Sequence, residues 1–285
     1  MPTSPSVLHL AATAAIDLQL HTTYSDGSWT PEALLDHLAQ AQFGLAAITD
    51  HDSLQHIAPT QQLAVAKTMP LLAAVEMTTR WRGEMVDLLC FGIDPAGPML
   101  NNLIDDLLQR QQENTREVLA NLAQQGFRFA EETQAAILVQ PPCLQPHALV
   151  SLVNEHGGDP GGGPAGPLIL RAGAAFMTHE PAAVVAATHQ AGGVCLVAHP
   201  GRTDGYLTFD SKLLAEFGHE TAVDGLEVYY PRHTPAQTAE YQAFAERHQL
   251  LVSAGSDSHG PDRPPIQYRA DQCRALLARV GIVVD

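Results

Sequence analysis

The sequence predicts an α/β protein in which buried strands alternate with helices, and three observations support this fold class. Short apolar runs recur along the chain, and each is followed by a polar cluster. Helix-start signals stand between these runs. The 285 residues are 45% hydrophobic, which suffices for a sizeable core without disulfide bonds. Strands that alternate with helices favour a parallel sheet or barrel.

The predicted strands are apolar runs that have the length of buried strands. Most of them end directly before a His, Asp or Glu residue. They cover residues 15–20, 45–49, 71–75, 85–93, 194–198, 226–230 and 250–254.

The predicted helices are marked by their first residues. Thr30, Pro31 and Glu32 combine an N-cap, a first-turn proline and an early acid. Similar starts occur at Glu180-Pro181 and at Thr234-Pro235. A further helix is expected near the C-terminus, before an apolar run at residues 280–284.

One region interrupts the alternation of strands and helices. Residues 98–127 carry apolar side chains at helical spacing, and no strand follows for a long way. The stretch 157–167 is rich in Gly and Pro. We therefore expect a barrel in two parts, residues 1–98 and 173–285, with a small helical insertion domain at residues 99–172.

The charge balance restricts the classes of partner. With 15 Lys and Arg against 31 Asp and Glu, the formal net charge is -16, which disfavours binding to a DNA duplex. An anionic small molecule stays compatible with this charge, because bound divalent cations reverse the local sign. No apolar run approaches the ~20 residues of a membrane span, so no membrane partner is expected.

The expected compartment is the cytoplasm. The first fifteen residues lack the basic start and apolar stretch of a secretion signal. The four cysteines lie far apart in the sequence, which is typical of a reducing environment. They are Cys90, Cys143, Cys195 and Cys273.

Candidate functional residues lie at the ends of the predicted strands, which meet at one mouth of a parallel barrel. Crowded imidazoles and carboxylates are costly unless they share cations, so the pattern predicts a centre of two or three metal ions. Taken singly, each cluster is also explained as a turn, a loop or a helix cap. The clusters are His21 and Asp26, then Asp50, His51 and Asp52, then Glu76, then His199, and finally Asp257 and His259.

Five segments together resemble the PHP (polymerase and histidinol phosphatase) family of metal-dependent phosphoesterases. The resemblance implies a distorted seven-stranded (β/α)7 TIM-like barrel. Among PHP proteins, the chain is most similar to the 3',5'-nucleoside bisphosphate phosphatases and the RNase AM type of exonuclease, which also carry a helical insertion. The segments are DLQLHTTYSDG at 17–27, ITDHD at 48–52, VE at 75–76, AHPGR at 198–202 and GSDSH at 255–259.

The family resemblance implies roles for individual residues. It places Arg202 and His147 against the substrate phosphate and two to three divalent cations at the barrel mouth, with Mn²⁺ favoured over Zn²⁺, Fe²⁺ or Mg²⁺. The implied ligand sets are His21, Glu76 and Asp257 for the first ion, Asp26, His51 and His259 for the second, and Glu76, Asp87 and His199 for the third.

The sequence departs from the family pattern at three positions. Gln19 replaces the first His of the usual His-x-His and offers an amide oxygen as a weaker ligand. Asp87 replaces a His, which shifts the site toward hard ions such as Mn²⁺ or Mg²⁺. Gln145, a candidate substrate-binding residue, stands where the nucleotide-acting subgroup has an Arg.

The implied activity is hydrolysis of phosphomonoesters of small nucleotides or related metabolites by a water that bridges two cations. Asp26, His51, Asp257 and Arg202 are the candidate catalytic residues, and His233 is a candidate proton donor to the leaving group. Two alternatives stay open: a 5'-to-3' exonuclease on short RNA, and a degenerate barrel without catalysis.

Several other side chains have two interpretations at this stage. Arg80 and Arg82 either add positive charge to the site or belong to an exposed hairpin with Gly83. Tyr229 and Tyr230 either stack on a base or pack in the protein. Asp50 or Asp52 could orient a ligand histidine. Histidines outside the clusters, including His179, are interpreted as solvated or structural.

Overall fold

The computed structural model describes residues 7–158 and 163–285, which form two compact units. The larger unit comprises the described residues up to Asn101 together with His179–Asp285, and the smaller unit is Asn102–Thr178. Of the Gly/Pro-rich stretch predicted at 157–167, residues 159–162 lie outside the described residues.

The strands belong to the larger unit and form three sheets, with orders β1-β11, β10-β2-β3-β4 and β5-β6-β7-β8-β9. Six of the seven predicted strands appear as single strands, and the run at 71–75 is divided between β4 and β5. The strands are β1 His9–Leu10, β2 Ala15–Leu20, β3 Phe43–Ile48, β4 Leu71–Leu72, β5 Ala74–Trp81, β6 Glu84–Phe91, β7 Val194–Val197, β8 Gly225–Tyr229, β9 Leu251–Ala254, β10 Tyr268–Arg269 and β11 Val283–Val284.

Strand β6 runs antiparallel to both of its neighbours, so the expectation of an all-parallel arrangement is wrong here. The cause is the tight turn that joins β5 to β6. Arg82 and Gly83 have φ values of 52° and 89°, as the central residues of a type I′ hairpin turn require. The hairpin interpretation of Arg82 is confirmed, since its guanidinium pairs with Glu216 and Glu220 on the protein surface.

The three helix starts that the sequence predicts, at Thr30, Glu180 and Thr234, are confirmed, and two of them carry side-chain caps. The Thr30 hydroxyl accepts a hydrogen bond from the Ala33 backbone, and Thr234 and Gln237 form a reciprocal capping box. The α-helices are α1 Pro31–Gln40, α2 Ile57–Ala66, α3 Pro98–Gln124, α4 Glu131–Leu138, α5 Gln145–Glu155, α6 Ala165–Arg171, α7 Pro181–Gln190, α8 Ser211–Thr221, α9 Pro235–His248 and α10 Arg274–Arg279, and a 3₁₀ helix spans Ala270–Cys273.

The two units have separate hydrophobic cores. In the larger unit, Leu18, Leu89 and Leu196 from three strands pack with Leu276 and Leu277 of α10. The smaller unit is helical, and α3, α5 and α6 bury a core of their own that includes residues 118–122, 149–153 and 165–172. The coarse prediction of a mixed α/β fold is confirmed.

No helix within residues 7–158 and 163–285 combines the length and apolarity that crossing a bilayer requires. The longest, α3, has 27 residues but is amphipathic and carries several charged side chains. The cytoplasmic location stays a prediction.

Candidate metal centre

The predicted ligand residues of the larger unit converge at one rim. Most of them follow the ends of β2, β3, β7 and β9, whereas Glu76, which the sequence placed after a strand, lies near the beginning of β5. Backbone bridges between Leu20 and Ser258 and between His51 and Glu76 hold these strand ends side by side. Three groups of side chains have their ligand atoms within 4.8 Å of one another. The groups are His21, Asp26, His51 and His259; His21, Glu76 and Asp257; and His51, Glu76 and Asp87.

His21 lies at the centre of this cluster and is completely buried. Its ring stacks between those of His51 and His259, with centroid distances of 4.8 and 4.1 Å. Its Nε2 atom lies 3.0 Å from Glu76 Oε2 and 3.3 Å from Asp257 Oδ1. Since His21 belongs to two of the three groups, it connects two neighbouring cation positions.

The arrangement of His21 fits a bound cation better than a network of hydrogen bonds. Neither of its buried ring nitrogens has a hydrogen-bond partner, although carboxylate oxygens approach it closely. Buried polar atoms are normally paired, so unpaired nitrogens aimed at carboxylates indicate that a positive ion belongs between them. A mixed set of imidazoles and carboxylates suits Mn²⁺, Fe²⁺ or Zn²⁺.

Glu76 is shared between the groups and stays ionised. Burial favours its neutral form, but His51, His199 and His21 outweigh this effect and hold its pKa well below the usual range. Its Oε1 atom lies 3.1 Å from His199 Nε2, on the side away from His21. One carboxylate therefore faces imidazoles on both sides, as a bridging ligand would.

Asp87 contributes from the middle of the antiparallel strand β6 rather than from a strand end. Burial, together with the charge of Glu76, raises its pKa to about 8. Its Oδ2 atom lies 3.9 Å from His199 Nε2. A cation held by Asp87, Glu76 and His199 would supply the charge that keeps this buried carboxylate ionised.

Gln19 contacts a ligand rather than completing the ligand set. Its amide nitrogen donates to both oxygens of Glu76, at 3.1 and 3.0 Å. Its buried Oε1 atom has no hydrogen-bond partner. The amide hydrogens of Gln19 therefore face the Glu76 carboxylate, which a neighbouring cation would also need.

Arg202 lies at the edge of the cluster, beside Asp257. Its Nη1 atom is 3.8 Å from Asp257 Oδ2, and its guanidinium lies over the Tyr206 ring at 4.1 Å. Asp204 accepts from its Nε at 2.6 Å and fixes its orientation. Asp257 also accepts a hydrogen bond from the hydroxyl of Tyr230, so this buried tyrosine packs in the site rather than offering a stacking face.

His233 does not have the freedom that a proton donor needs, and this part of the prediction is corrected. Its Nδ1 donates to the carbonyl of Val228, and its Nε2 accepts from the backbone of Gly201. Burial, together with the charge of His199, lowers its pKa to about 4. His233 is therefore a neutral residue that anchors the loop at residues 199–202.

The predicted substrate residues of the smaller unit differ in their surroundings. Gln145 is fully buried: its Oε1 accepts from Thr115, and its amide donates to the carbonyls of Leu138 and Gln140. Substrate binding by Gln145 is therefore contradicted, since all its polar atoms are used inside the helical core. His147 is exposed and lies beside Phe176, at 5.3 Å between ring centroids.

Several buried polar residues around the cluster support the ligands, although the sequence pattern indicates no role, or only a general one, for them. His179 lies 3.2 Å from Asp52, which accepts from the backbone of Thr78 in the same strand as Glu76. Asp50 accepts from the backbone and hydroxyl of Thr22, next to His21. Asp50 and Asp52 directly flank the ligand His51, which is a usable sequence signal, whereas His179 has none.

Comparisons with known proteins agree with this geometry, although a scan against protein-family models finds no match. The chain is 28% identical over 266 residues to a 3',5'-nucleoside bisphosphate phosphatase of Chromobacterium violaceum, covering 87% of this chain and 88% of the relative. It is 26% identical over 251 residues to the 5'-3' exoribonuclease Rnm of Escherichia coli, covering 86% and 85% of the two chains.

Solved structures show the same fold. A protein of Bifidobacterium adolescentis assigned as a metal-dependent phosphoesterase matches with a TM-score of 0.71 and 25% identity, over 99% of both chains. A Bacteroides vulgatus protein with a domain predicted to be a PHP-like phosphoesterase matches at TM-score 0.52 and 11% identity, over 99% of this chain and 68% of that one, which shows the fold alone. Together these similarities confirm the resemblance to the PHP phosphoesterases and identify the chain as a hydrolase that acts on phosphoric ester bonds.

Proposed function

We propose that the chain hydrolyses phosphomonoesters of small nucleotides or related phosphorylated metabolites at the rim of the larger unit. The observation that carries this proposal is the convergence of three overlapping ligand groups beside the guanidinium of Arg202. Ligands for more than one cation, next to an arginine, suit a phosphate ester better than an uncharged substrate. The similarity to a nucleoside bisphosphate phosphatase supports a nucleotide as the substrate.

The residues proposed to hold two to three cations are the seven His, Asp and Glu side chains of the three ligand groups together with His199. Such cations, when bound, polarise phosphoryl oxygens and lower the pKa of water. Arg202 would bind a phosphoryl oxygen, because its planar fork matches phosphate geometry. Asp26 and His259 are the more exposed members of the cluster, so the substrate would enter on their side. We propose Mn²⁺ as the ion, since Asp87 adds a hard oxygen ligand.

We also propose that the strands of the larger unit close into a seven-stranded barrel. Sheet pairing connects β5 through β9 in sequence order, and β2 pairs with β3. The bridge between His51 and Glu76 continues β3 into β5, and the bridge between Leu20 and Ser258 continues the β9 end into β2. These contacts would complete a ring of β2, β3, β5, β6, β7, β8 and β9.

A substrate panel tests the proposed function directly. Mn²⁺-loaded protein should release inorganic phosphate from a nucleoside 3',5'-bisphosphate or a nucleoside monophosphate. A chelator-treated sample is the control for dependence on the metal. Absence of phosphate release from every phosphomonoester in the panel would contradict the proposal.

Replacing Arg202 with alanine is expected mainly to raise KM. A hydrogen bond to a charged group contributes roughly 1.5–3 kcal/mol, so KM should rise about tenfold or more while kcat changes less. Steady-state kinetics on the best substrate of the panel measure the change. Arg82→Ala is the matched control, because Arg82 is held by Glu216 and Glu220 away from the ligand groups. Equal KM values for the parent and Arg202→Ala would remove Arg202 from the substrate site.

A second candidate function is 5'-to-3' trimming of short RNA, which the similarity to the Escherichia coli exoribonuclease favours. The net charge of -16 disfavours long polymers. We therefore expect a 5'-labelled RNA of a few nucleotides to be degraded faster than a long one. Raising the salt concentration should slow cleavage of the long RNA more steeply than that of a mononucleotide, because phosphate contacts release counterions. Rapid, salt-dependent degradation of long RNA would make the exonuclease the primary function.

A further inference from the structure

A buried carboxyl group outside the ligand groups lies directly beneath His199. Glu227, in the middle of β8, is completely shielded from solvent. Its Oε2 atom accepts a hydrogen bond of 3.0 Å from the backbone nitrogen of His199. Its other carboxyl oxygen has no hydrogen-bond partner. The hydrogen bond to the His199 backbone is therefore the contact that connects Glu227 to the ligand groups.

The backbone of His199 needs this support. Its φ value is 27°, in the left-handed region that side chains with a Cβ atom rarely adopt. Strained conformations of this kind persist only where the surroundings hold them. The conformation also directs the His199 imidazole so that its Nε2 atom lies 3.1 Å from Glu76.

The Glu227 side chain also restricts which residue can stand at position 255. Gly255, at the end of β9, lies against the carboxyl group. A Cβ atom at this position would come within 2.5 Å of Glu227 Oε1 and 2.4 Å of Gln19 Cβ. A larger residue at position 255 would therefore displace the Glu227 carboxyl group or Gln19, which glycine avoids.

We propose that Glu227 is a positioning residue that fixes the backbone of His199 and thereby sets the cation affinity of the Glu76, Asp87 and His199 group. This proposal rests on the proposed metal centre, and it adds a residue that touches neither cation nor substrate. Its action needs one acceptor oxygen opposite the His199 nitrogen and does not need a negative charge. Residues that orient metal ligands typically change affinity ten- to hundredfold when they are removed.

The test is a titration of each purified chain with Mn²⁺ alone, in which electron paramagnetic resonance measures the free ion. Glu227→Met keeps the side-chain volume but removes the acceptor, and it should weaken one class of Mn²⁺ site about ten- to hundredfold. Glu227→Gln retains an acceptor oxygen and should bind Mn²⁺ within a few-fold of the parent, which is the rescue expected for a hydrogen-bonding role.

The matched control removes a similar contact made by the residue directly before the same strand. Asp224 accepts from the backbone nitrogen of Cys195 in β7, far from the ligand groups. Asp224→Ala should lower the unfolding temperature without changing Mn²⁺ affinity. Circular dichroism checks that all variants are folded, and Glu227→Ala replaces Glu227→Met if the latter is not.

Each outcome of the titration decides the proposal. Parent-like Mn²⁺ binding by Glu227→Met would overturn it. Equal weakening in Glu227→Gln and Glu227→Met would also overturn it, because the effect would then come from charge rather than from the acceptor. The readout is metal affinity rather than turnover, so an inactive but Mn²⁺-binding parent would refute the proposed function and leave the role of Glu227 intact.

Discussion

Glu76→Gln is expected to lower kcat/KM for phosphomonoester hydrolysis by more than about a hundredfold. Removing an outer partner of a metal ligand typically costs ten- to hundredfold, and Glu76 is itself a shared ligand in two of the groups. The amide keeps the shape of the side chain but removes the negative charge and one acceptor oxygen. His21 and His199, at 3.0 and 3.1 Å, would then face a group that no longer attracts a cation between them.

The design of this experiment separates loss of chemistry from loss of fold. Initial rates of phosphate release measure activity, and circular dichroism without metal measures the fold. Glu240→Gln makes the same chemical change at an exposed glutamate that binds Ser211, and it should leave the rate unchanged. Parent-like turnover by Glu76→Gln would show that the reaction takes place elsewhere on the protein.

Metal removal should have the largest effect on stability. Four carboxylates lie in the cluster, and without cations their mutual repulsion is balanced mainly by the histidines, with Arg202 near Asp257 alone. An ion at a hundred times its dissociation constant stabilises the folded state by about 2.7 kcal/mol per site. For a protein of this size we therefore expect Mn²⁺ to raise the unfolding temperature by about 5 °C or more.

Differential scanning calorimetry of chelator-treated protein, with and without added Mn²⁺, measures this shift. Asp257→Ala lacks one ligand and should show a smaller response to Mn²⁺. The same unfolding temperature in both conditions would favour the remaining interpretation from the sequence, a degenerate barrel that neither binds metal nor catalyses.

The positions of His21, His51 and Asp257 after strands could be predicted from the sequence because each follows a short, mostly apolar run. A buried strand and the polar residue that ends it are adjacent in the chain, so local pattern suffices. Helix starts at Thr30 and Thr234 were predictable for the same reason, since a cap and its helix are neighbours.

The roles of His233 and Gln145 could not be predicted in this way, and the antiparallel direction of β6 was only one of two interpretations. The turn at Arg82 and Gly83 is short, and its left-handed conformation is not evident from an Arg-Gly pair alone. Gln145 is buried by Thr115, which is thirty residues away in the sequence. Contacts of this range depend on how helices pack, and local spacing does not encode them.

The antiparallel course of β6 determines how this site tolerates evolutionary change. Alternate residues of a strand point to opposite faces, so Asp87 reaches the cluster only in its present register with Thr78. Gain or loss of one residue between the turn and Asp87 would rotate the carboxylate out of the cavity. Loops that carry ligands at strand ends can change in length during evolution. Asp87, by contrast, requires that the β5–β6 hairpin keep a constant length.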